Sequence, residues 1–424
     1  MSCRSIIHAA AAIAFAVTAY PLAAAVVVGP EVRSGVLANR TSVHYAAPAV
    51  AMARDAHGIA IAWSMREALS EESIFIARLD EAGEVSGAIE RLARYSSVDR
   101  VALYPSMAPA PGGEGFVLAW VELEDLNSSR AKGAISVVDA SLRQISTHSV
   151  TLSTAPFGAE SLVSHPVVKS DPSGVTWVGI NGRLWIIRGD GVPAKAGLDI
   201  SPESDFAFPE GRPLFAERQR VAVERICPPT CKSSHAGLGP SCSCGILYRY
   251  RSTFNFIWLE TLSFKLDFAQ EIESGPAVES DGRDTLIVWA SNPSAQGGDV
   301  VAVRLDTTSF ARFADLAQTP SILGTFGSDD RPVYPDIASD GERFVVVWRT
   351  KTSGGDHDIA GALVERNGTV TSFPIATSVA DERDPTVIAA GPGQFLVAYE
   401  TLSGGERRIA GRFVSFNARR RAVR

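Results

Sequence analysis

The chain has 424 residues, of which 46% are hydrophobic, and its formal net charge is −7. A hydrophobic fraction of this size excludes a globally disordered chain, and a chain this long buries a large core without needing disulfides or metals. The acidic balance, with a sequence pI of about 5.6, excludes the basic face that nucleic-acid-binding proteins present. We therefore expect a globular protein without a nucleic-acid partner.

The N-terminus has the three parts of a secretory signal peptide. Arg4 and His8 form a basic segment, an apolar run follows over residues 9–19, and small residues come after it. We expect a signal peptide over residues 1–25 and a secreted or periplasmic mature protein over residues 26–424. No later segment has the roughly 18 consecutive apolar residues of a membrane-spanning helix, so we expect no membrane span.

A repeated pattern occupies the rest of the chain. Each copy has a proline, an alternating apolar segment, a glycine-containing turn and a second apolar segment that ends in an aromatic residue. The copies that begin at Pro335 and Pro385 show it most clearly. The prolines of all copies are Pro48, Pro105, Pro166, Pro213, Pro276, Pro335 and Pro385, at a mean spacing of about 56 residues. The copy at Pro213 is divergent, and residues 220–226 form its predicted second strand.

Each copy predicts four strands. Proline is tolerated at the first residue of a strand, a glycine turn closes the hairpin to the second strand, and a second strand that is apolar on both faces is typical of stacked sheets. Four-stranded units repeated around a ring are the β-propeller solution to exposed sheet edges. We predict an all-β protein with a single seven-bladed β-propeller domain.

The last copy lacks a fourth strand. Residues 32–37, near the start of the mature chain, are similar to residues 84–89, which enter the fourth strand of the first copy. We therefore predict that N- and C-terminal strands share the last blade and close the ring.

The aromatic residue of each copy recurs at an equivalent strand end. This regularity predicts core residues rather than a sugar-stacking surface. The residues are Trp63, Trp120, Trp177, Trp289, Trp348 and Tyr399.

The most regular copy runs from Pro335 through Asp340, Gly341 and Trp348 to the Asp-Ile-x-Gly segment at residues 358–361. This phrase resembles secreted bacterial β-propeller-like repeat proteins of uncharacterised function. The resemblance implies the architecture and leaves the function open, because propellers host hydrolases, lyases and binding scaffolds alike.

Residues 170–177 resemble the Asp-box of sialidase-like propellers. Ser170, Gly174, Thr176 and Trp177 fit the box, whereas Pro172 stands at the aspartate position and the aspartate is displaced by one residue. The box is a structural turn, so the resemblance implies a propeller and says little about catalysis. The arginine cluster and the Tyr/Glu nucleophile pair of a sialidase are not assignable.

Four cysteines lie close together, at Cys227, Cys231, Cys242 and Cys244. In an exported chain they predict two disulfides, with three possible pairings. The alternative is a zinc knuckle that includes His235, but the C-x3-C-x10-C-x-C spacing matches no familiar zinc pattern. We interpret residues 226–245 as a disulfide-stapled surface insertion.

Two acidic patterns are candidates for other roles. The repeated pairs Asp99-Arg100 and Asp330-Arg331, and the related residues 381–383, predict structural salt bridges or turns, because catalytic residues are rarely repeated between copies. The triplet Asp356, His357 and Asp358 is the candidate cation site, although a solvated loop is the alternative, since calcium takes more oxygen ligands than this triplet offers.

The function prediction rests on the catalytic and cofactor-binding motifs that the sequence lacks. No nucleotide-binding loop follows a strand, so we expect no cofactor, and no acid/base pair can be placed. We predict an exported, monomeric, non-enzymatic propeller that binds a protein, glycan or surface polymer. The alternative is a carbohydrate-active hydrolase or lyase with its site in the central funnel.

Overall fold

The computed structural model describes residues 25–37, 50–68, 71–95, 101–123, 131–151, 165–180, 183–199, 205–208, 218–226, 245–254, 257–266, 271–272, 276–294, 297–306, 321–327, 333–351 and 356–417. Residues 1–24 of the predicted signal peptide 1–25, the four cysteines and the Asp99-Arg100 and Asp330-Arg331 pairs lie outside these residues.

All regular elements of the described residues are β-strands. In chain order they are β1 (Ala25–Leu37), β2 (Val50–Asp55), β3 (Gly58–Ala68), β4 (Glu71–Leu79), β5 (Val85–Tyr95), β6 (Val101–Pro109), β7 (Phe116–Leu123), β8 (Ala131–Val138), β9 (Gln144–Thr151), β10 (Val167–Ser170), β11 (Thr176–Ile180), β12 (Arg183–Ile187), β13 (Pro193–Asp199), β14 (Asp205–Ala207), β15 (Arg218–Ile226), β16 (Gly245–Phe254), β17 (Ile257–Leu266), β18 (Glu271–Ile272), β19 (Ala277–Ser280), β20 (Asp284–Ser294), β21 (Gly297–Asp306), β22 (Ser321–Gly327), β23 (Asp336–Ser339), β24 (Arg343–Lys351), β25 (His357–Glu365), β26 (Val370–Ala376), β27 (Asp381–Gly391), β28 (Gln394–Ser403) and β29 (Glu406–Asn417).

Within the described residues these strands form seven antiparallel sheets. Sheets 1, 2, 3, 4 and 6 each contain four strands paired in chain order: β2–β5, β6–β9, β10–β13, β14–β17 and β23–β26. Sheet 5 has five strands, because β18 and β19 both pair with β20, which continues to β21 and β22. Sheet 7 has the order β27, β28, β29 and β1.

The innermost strands of the sheets contact one another in chain order. These contacts run from β2 to β6, β10, β14, β19, β23 and β27, and β27 also contacts β2. The prediction of an all-β propeller built from four-stranded sheets is confirmed, and the number of sheets fits the predicted seven blades.

The N-terminal strand takes part in sheet 7. β1 pairs antiparallel with β29, with Val26 opposite Phe416 and Val32 opposite Gly411. Its position outside β29 makes it the fourth strand of that sheet, which is the pairing that a shared last blade requires.

Sheet 4 begins earlier than the sequence predicted. We placed its start at Pro213, but its inner strand is β14, over Asp205–Ala207. Residues 220–226 do lie in the second strand, as predicted. The start was misplaced because this inner strand has only three residues and no proline directly before it, so it lacks the mark of the other copies.

The core consists of layers between neighbouring sheets. Between sheets 6 and 7, for example, Val345, Val347 and Ile359 pack with Phe395 and Val397. The repeat aromatics lie in these layers and are at most 2% exposed: Trp63, Trp120, Trp177, Trp289, Trp348 and Tyr399. Aromatic side chains of this size contribute much of the apolar area that such layers bury.

Candidate functional site

Two of the inner strands carry a backbone irregularity at the same place. The pairing shifts between Leu103 and Ser106 in β6 and between Arg383 and Thr386 in β27. In each case the residue before the proline has a positive φ, 59° at Tyr104 and 49° at Asp384. Bulges of this kind re-aim a side chain. The residue that precedes each inner-strand proline is therefore a candidate site residue.

In three of the sheets the residue before the inner-strand proline is aromatic, and these three rings meet at the centre of the molecule. The ring centroids of Tyr104 and His165 are 4.5 Å apart, and those of His165 and Tyr334 are 5.2 Å apart. The rings come from sheets 2, 3 and 6, so they can touch only where the inner strands converge. Burial lowers the pKa of His165 to about 4, and its imidazole is therefore neutral at physiological pH.

A charged cluster lies a few residues further along the same strands. Lys169 on β10 donates a hydrogen bond from Nζ to Asp205 Oδ2 at 2.9 Å, and the same atom is 3.7 Å from Glu279 Oε2. It also donates to the carbonyl oxygen of Val278. One lysine thus joins sheets 3, 4 and 5.

The aspartates of this region also hold neighbouring inner strands together. Asp205 Oδ2 accepts a hydrogen bond from the backbone N–H of Val278 at 2.8 Å. Asp336 Oδ2 accepts from the backbone N–H of Val387 at 2.9 Å and from Thr386 Oγ1 at 2.7 Å. These carboxylates therefore act as ties from sheet 4 to sheet 5 and from sheet 6 to sheet 7.

Burial and charge shift the titration of this cluster. Burial by itself disfavours the Lys169 ammonium, but the charges of Asp205 and Glu279 outweigh that effect and raise the pKa of Lys169. Burial raises the pKa of Glu279, and Lys169 only partly opposes it. Burial likewise raises the pKa of Asp336, against the hydrogen bonds from Thr386 and Val387. Lys169 thus stays cationic, while Glu279 and Asp336 bind protons more readily than exposed carboxyl groups.

Solvent reaches part of the cluster. The Lys169 side chain is 22% exposed and the Glu279 side chain 29% exposed. Glu279 Oε1 accepts one hydrogen bond, from the backbone N–H of Ser280 at 3.0 Å. Of Asp205, Glu279 and Asp336, Glu279 accepts the fewest hydrogen bonds within the described residues, and its side chain is more exposed than that of Asp205.

The three residues of the predicted cation site have different environments. His357 Nδ1 is 2.6 Å from Asp381 Oδ1 on the next sheet, Asp358 is buried and Asp356 is exposed. Over the described ranges, no three His, Cys, Asp or Glu side chains gather in a group that could hold a metal ion. Cation binding by this triplet gains no support and remains a prediction.

Asp381 is fixed by two partners. Besides its contact with His357, its Oδ2 atom is 2.6 Å from Arg383 Nη2. Burial opposes the ionised form, but the bonds from His357 and Arg383 outweigh it and hold the pKa of Asp381 well below its usual range. Asp381 and Arg383 thus form the kind of salt bridge that the sequence pattern predicted.

The Asp-box-like segment is a hydrogen-bonded turn. Asp171, although displaced by one residue, accepts hydrogen bonds at Oδ1 from the backbone N–H groups of Ser173 at 2.9 Å and Val175 at 3.1 Å. Its Oδ2 atom accepts from Trp177 Nε1 at 3.2 Å. The displaced aspartate ties the turn to the repeat aromatic, which is a structural role.

The inner strands converge on the central channel of the propeller. Sequence reasoning missed the residues that lie there: Tyr104, His165, Lys169, Asp205, Glu279, Tyr334 and Asp336. The pattern search looked for what the copies share, whereas these side chains differ from copy to copy. Except for Asp205, whose strand lacks the marking proline, the usable signal was their position close to the inner-strand proline, one residue before it or one to three residues after it.

Comparisons with known proteins give no family for this chain. No family model matches the chain, and no curated protein matches it. Among solved structures, the chain is similar to the β-propeller domain of Cps50 (Swd1) from Myceliophteria thermophila, at 12% identity over 89% of this chain and 99% of that one, with a TM-score of 0.42.

Two further similar structures are enzymes. The NanB sialidase from Streptococcus pneumoniae matches at 9% identity over 91% of this chain and 70% of that one, with a TM-score of 0.44. The α-L-arabinanase from Penicillium chrysogenum matches at 9% identity over 92% of this chain and 98% of that one, with a TM-score of 0.43.

The described part of the chain contains no helix that is long and apolar enough to span a bilayer.

Proposed function

We propose that this chain is an exported, non-enzymatic propeller that binds a protein, glycan or surface polymer at the channel face where its inner strands begin. One observation carries the proposal: the channel aspartates are engaged in bonds that hold inner strands together. Asp205 bonds to Val278 and Lys169, and Asp336 bonds to Val387 and Thr386. Such groups serve to build the channel rather than to move protons.

The aromatic rings at the channel suit a binding surface. The His165 ring contacts the rings of both Tyr104 and Tyr334, each at a tilted angle, and His165 is neutral at physiological pH. Rigid aromatic side chains offer contact area at a low entropic cost. Tyr104 is buried, so a partner docking on this face would meet the half-buried rings of His165 and Tyr334, with the charged cluster close by.

A specific observation favours the second candidate, a carbohydrate-active hydrolase or lyase. Glu279 is partly exposed, has few structural bonds and lies next to Lys169. Burial raises its pKa, which is the property that a general acid needs. In this reading Glu279 would donate the proton to a leaving-group oxygen.

The test is a glycan and polysaccharide array on the mature protein, followed by product analysis of every glycan that binds. We expect binding without product, and we expect Tyr334→Ala to weaken it at least about tenfold, as the loss of an aromatic hot spot does. Glu342→Gln, at an exposed glutamate, is the control and should leave binding unchanged. Product formation that Glu279→Gln abolishes would instead establish the enzyme.

Export and state of association belong to the same proposal. We expect a secreted or periplasmic protein, cleaved near Ala25, that is monomeric in solution. Mass spectrometry of the protein recovered from the exported fraction, together with light scattering, tests both expectations. A protein retained with residues 1–25 in the cytoplasm would contradict the first, and a dimeric mass would contradict the second.

A further inference from the structure

The three aromatic rings close the channel at the level where they meet. His165 precedes the inner strand of sheet 3 and Tyr334 precedes that of sheet 6. These sheets are not neighbours, because β14 and β19 lie between their inner strands in the order of contacts. The 5.2 Å between the centroids of the two rings therefore spans the channel, and Tyr104 of sheet 2 packs against His165. A group that enters where the inner strands begin thus meets an aromatic floor at the end of a blind recess.

Asp384 on sheet 7 has the same backbone conformation as Tyr104. Both residues precede a proline, both lie at a shift in strand pairing, and both have a positive φ, 49° and 59°. This conformation brings the Tyr104 ring to the recess, and by this equivalence we expect the half-buried Asp384 side chain at the recess wall. Its strand β27 contacts β23, which follows Tyr334, so the carboxyl group belongs on the side of the recess nearest that ring.

The charged groups identified at the channel are mostly acidic. The ammonium group of Lys169 already has two carboxylate neighbours, Asp205 Oδ2 at 2.9 Å and Glu279 Oε2 at 3.7 Å. Asp336 Oδ2 is bonded to uncharged donors, the Thr386 hydroxyl and a backbone N–H group. Four carboxyl groups therefore accompany one ammonium group: Asp205, Glu279, Asp336 and Asp384 with Lys169. This balance favours a positively charged ligand group over a negative one.

The aromatic floor favours the same kind of group. A cation is attracted to the face of a tyrosine ring, and more strongly where water is excluded. His165 and Tyr334 are half-buried, so a ligand must reach into the recess to contact them. A lysine or arginine side chain has a slender apolar stem with its charge at the far end. An amino group fixed directly to a sugar ring lacks such a stem.

We propose that the partner is a protein that inserts a lysine or arginine side chain into this recess, with its charge over the rings of His165 and Tyr334 and with Asp384 as its counter-ion. The inference rests on the proposed function and names the kind of partner that the channel face binds.

The experiment measures binding of hexalysine to the full mature protein at about 0.15 M salt, where charges more than roughly 8 Å apart are largely screened. Asp384→Asn removes the proposed counter-ion, and asparagine also adopts a positive φ readily. Glu342→Gln is the matched control, because it removes the same charge from a side chain that is 75% exposed. Tyr334→Leu removes the ring, whereas Tyr334→Phe keeps it. Circular dichroism establishes that each variant is folded.

We expect saturable binding of one peptide per protein. Asp384→Asn and Tyr334→Leu should each weaken it about tenfold, through the loss of a charged hydrogen bond and of a cation–π contact. Glu342→Gln and Tyr334→Phe should stay within about twofold of the wild type, since a phenylalanine ring also attracts cations. Hexalysine with all its side-chain amines acetylated should not bind.

Four results would overturn the proposal. Equal weakening by Asp384→Asn and Glu342→Gln would show general attraction to an acidic surface. Undiminished binding of the acetylated peptide would show that charge is not recognised. Tighter binding of a glucosamine hexamer than of hexalysine would assign the recess to a cationic glycan. Absence of hexalysine binding, together with Tyr334-dependent binding of a neutral glycan, would remove the cationic partner and leave the proposed function standing, whereas a protein that binds neither peptide nor glycan contradicts both.

Discussion

At the residue scale, several buried or half-buried charges in the described part of the chain are paired with an opposite charge. Arg78 on β4 illustrates this: its Nη1 and Nη2 atoms lie 2.6 and 2.7 Å from the two carboxylate oxygens of Asp55. The same guanidinium donates to the carbonyl oxygen of Ala140 on sheet 2 at 2.9 Å and lies 4.8 Å from the centre of the Phe116 ring. A two-pronged pair of this kind is among the strongest polar contacts that a protein makes.

Arg78→Ala should therefore lower the free energy of unfolding by about 2–4 kcal/mol near neutral pH, because it leaves the Asp55 carboxylate without its cation. Burial opposes ionisation of Asp55, but the bonds from Arg78, Gly115 and His57 outweigh it and lower the pKa of Asp55. The contribution of the pair is thus present above the ordinary carboxyl pKa and is lost as the pH falls through the lowered one.

Denaturant unfolding of the wild type and Arg78→Ala at several pH values measures this difference. We expect the two curves to converge as the pH falls. A neutral-pH difference below about 0.5 kcal/mol would place the pair among weak surface salt bridges and contradict the prediction.

At the element scale, the turns between the first two strands connect neighbouring sheets. The N–H of Gly115, in the turn before β7, donates to Asp55 Oδ2 on sheet 1 at 2.8 Å. The N–H of Gly393 donates to Asp340 Oδ2 on sheet 6 at 2.8 Å. These equivalent bonds connect sheet 1 to sheet 2 and sheet 6 to sheet 7, so the turn is part of the stacking and not only of its own hairpin.

Alanine substitutions at two turn glycines distinguish the cost of backbone strain from the cost of steric crowding. Gly115 and Gly341 both have positive φ, +80° and +88°, but a Cβ atom on Gly115 would lie 2.2 Å from the carbonyl oxygen of Val138, whereas one on Gly341 meets nothing within 4 Å. Gly341→Ala should cost about 1 kcal/mol, from the left-handed backbone alone. Gly115→Ala should cost at least about 2 kcal/mol more, because a backbone atom must move.

Thermal unfolding of the two variants tests this comparison. Equal losses in both would mean that the turn before β7 can shift to accept a side chain.

At the scale of the whole molecule, stability comes from sheets packed on sheets around the channel. Each layer is shared by two neighbours, as in the contact of Trp63 on sheet 1 with Ala398 and Ile409 on sheet 7. A protein built in this way tolerates an insertion in the connection between two strands, because the packed layers between sheets do not depend on that connection. The segment between β15 and β16 carries the four cysteines, and their two disulfides remain a prediction.

Reduction of the mature protein should therefore loosen this connection without unfolding the sheets. Each disulfide in so short a loop constrains the unfolded chain by on the order of 2–3 kcal/mol, and that effect is local. Thiol titration of the denatured, unreduced protein should find no free thiol. Four reactive thiols together with stoichiometric zinc would establish the zinc knuckle instead.

The sequence by itself determined the four-stranded repeat, most strand positions and the buried aromatics. These features depend on alternation, turn glycines and strand-initial prolines, which are local patterns that recur in each copy. Trp348 and Tyr399, for instance, were identified as core residues from their position alone, and each is at most 2% exposed. The start of sheet 4 at Asp205 escaped because a three-residue strand is too short to show a pattern.

Only the tertiary structure decided which side chains meet. Lys169, Asp205 and Glu279 belong to different copies and come together because inner strands converge at the channel. Tyr399 and Glu31 lie near opposite ends of the chain and become neighbours because β1 pairs with β29. Contacts between distant copies leave no periodic trace in a single sequence, since each depends on one side chain at one position and on the packing that brings the sheets together.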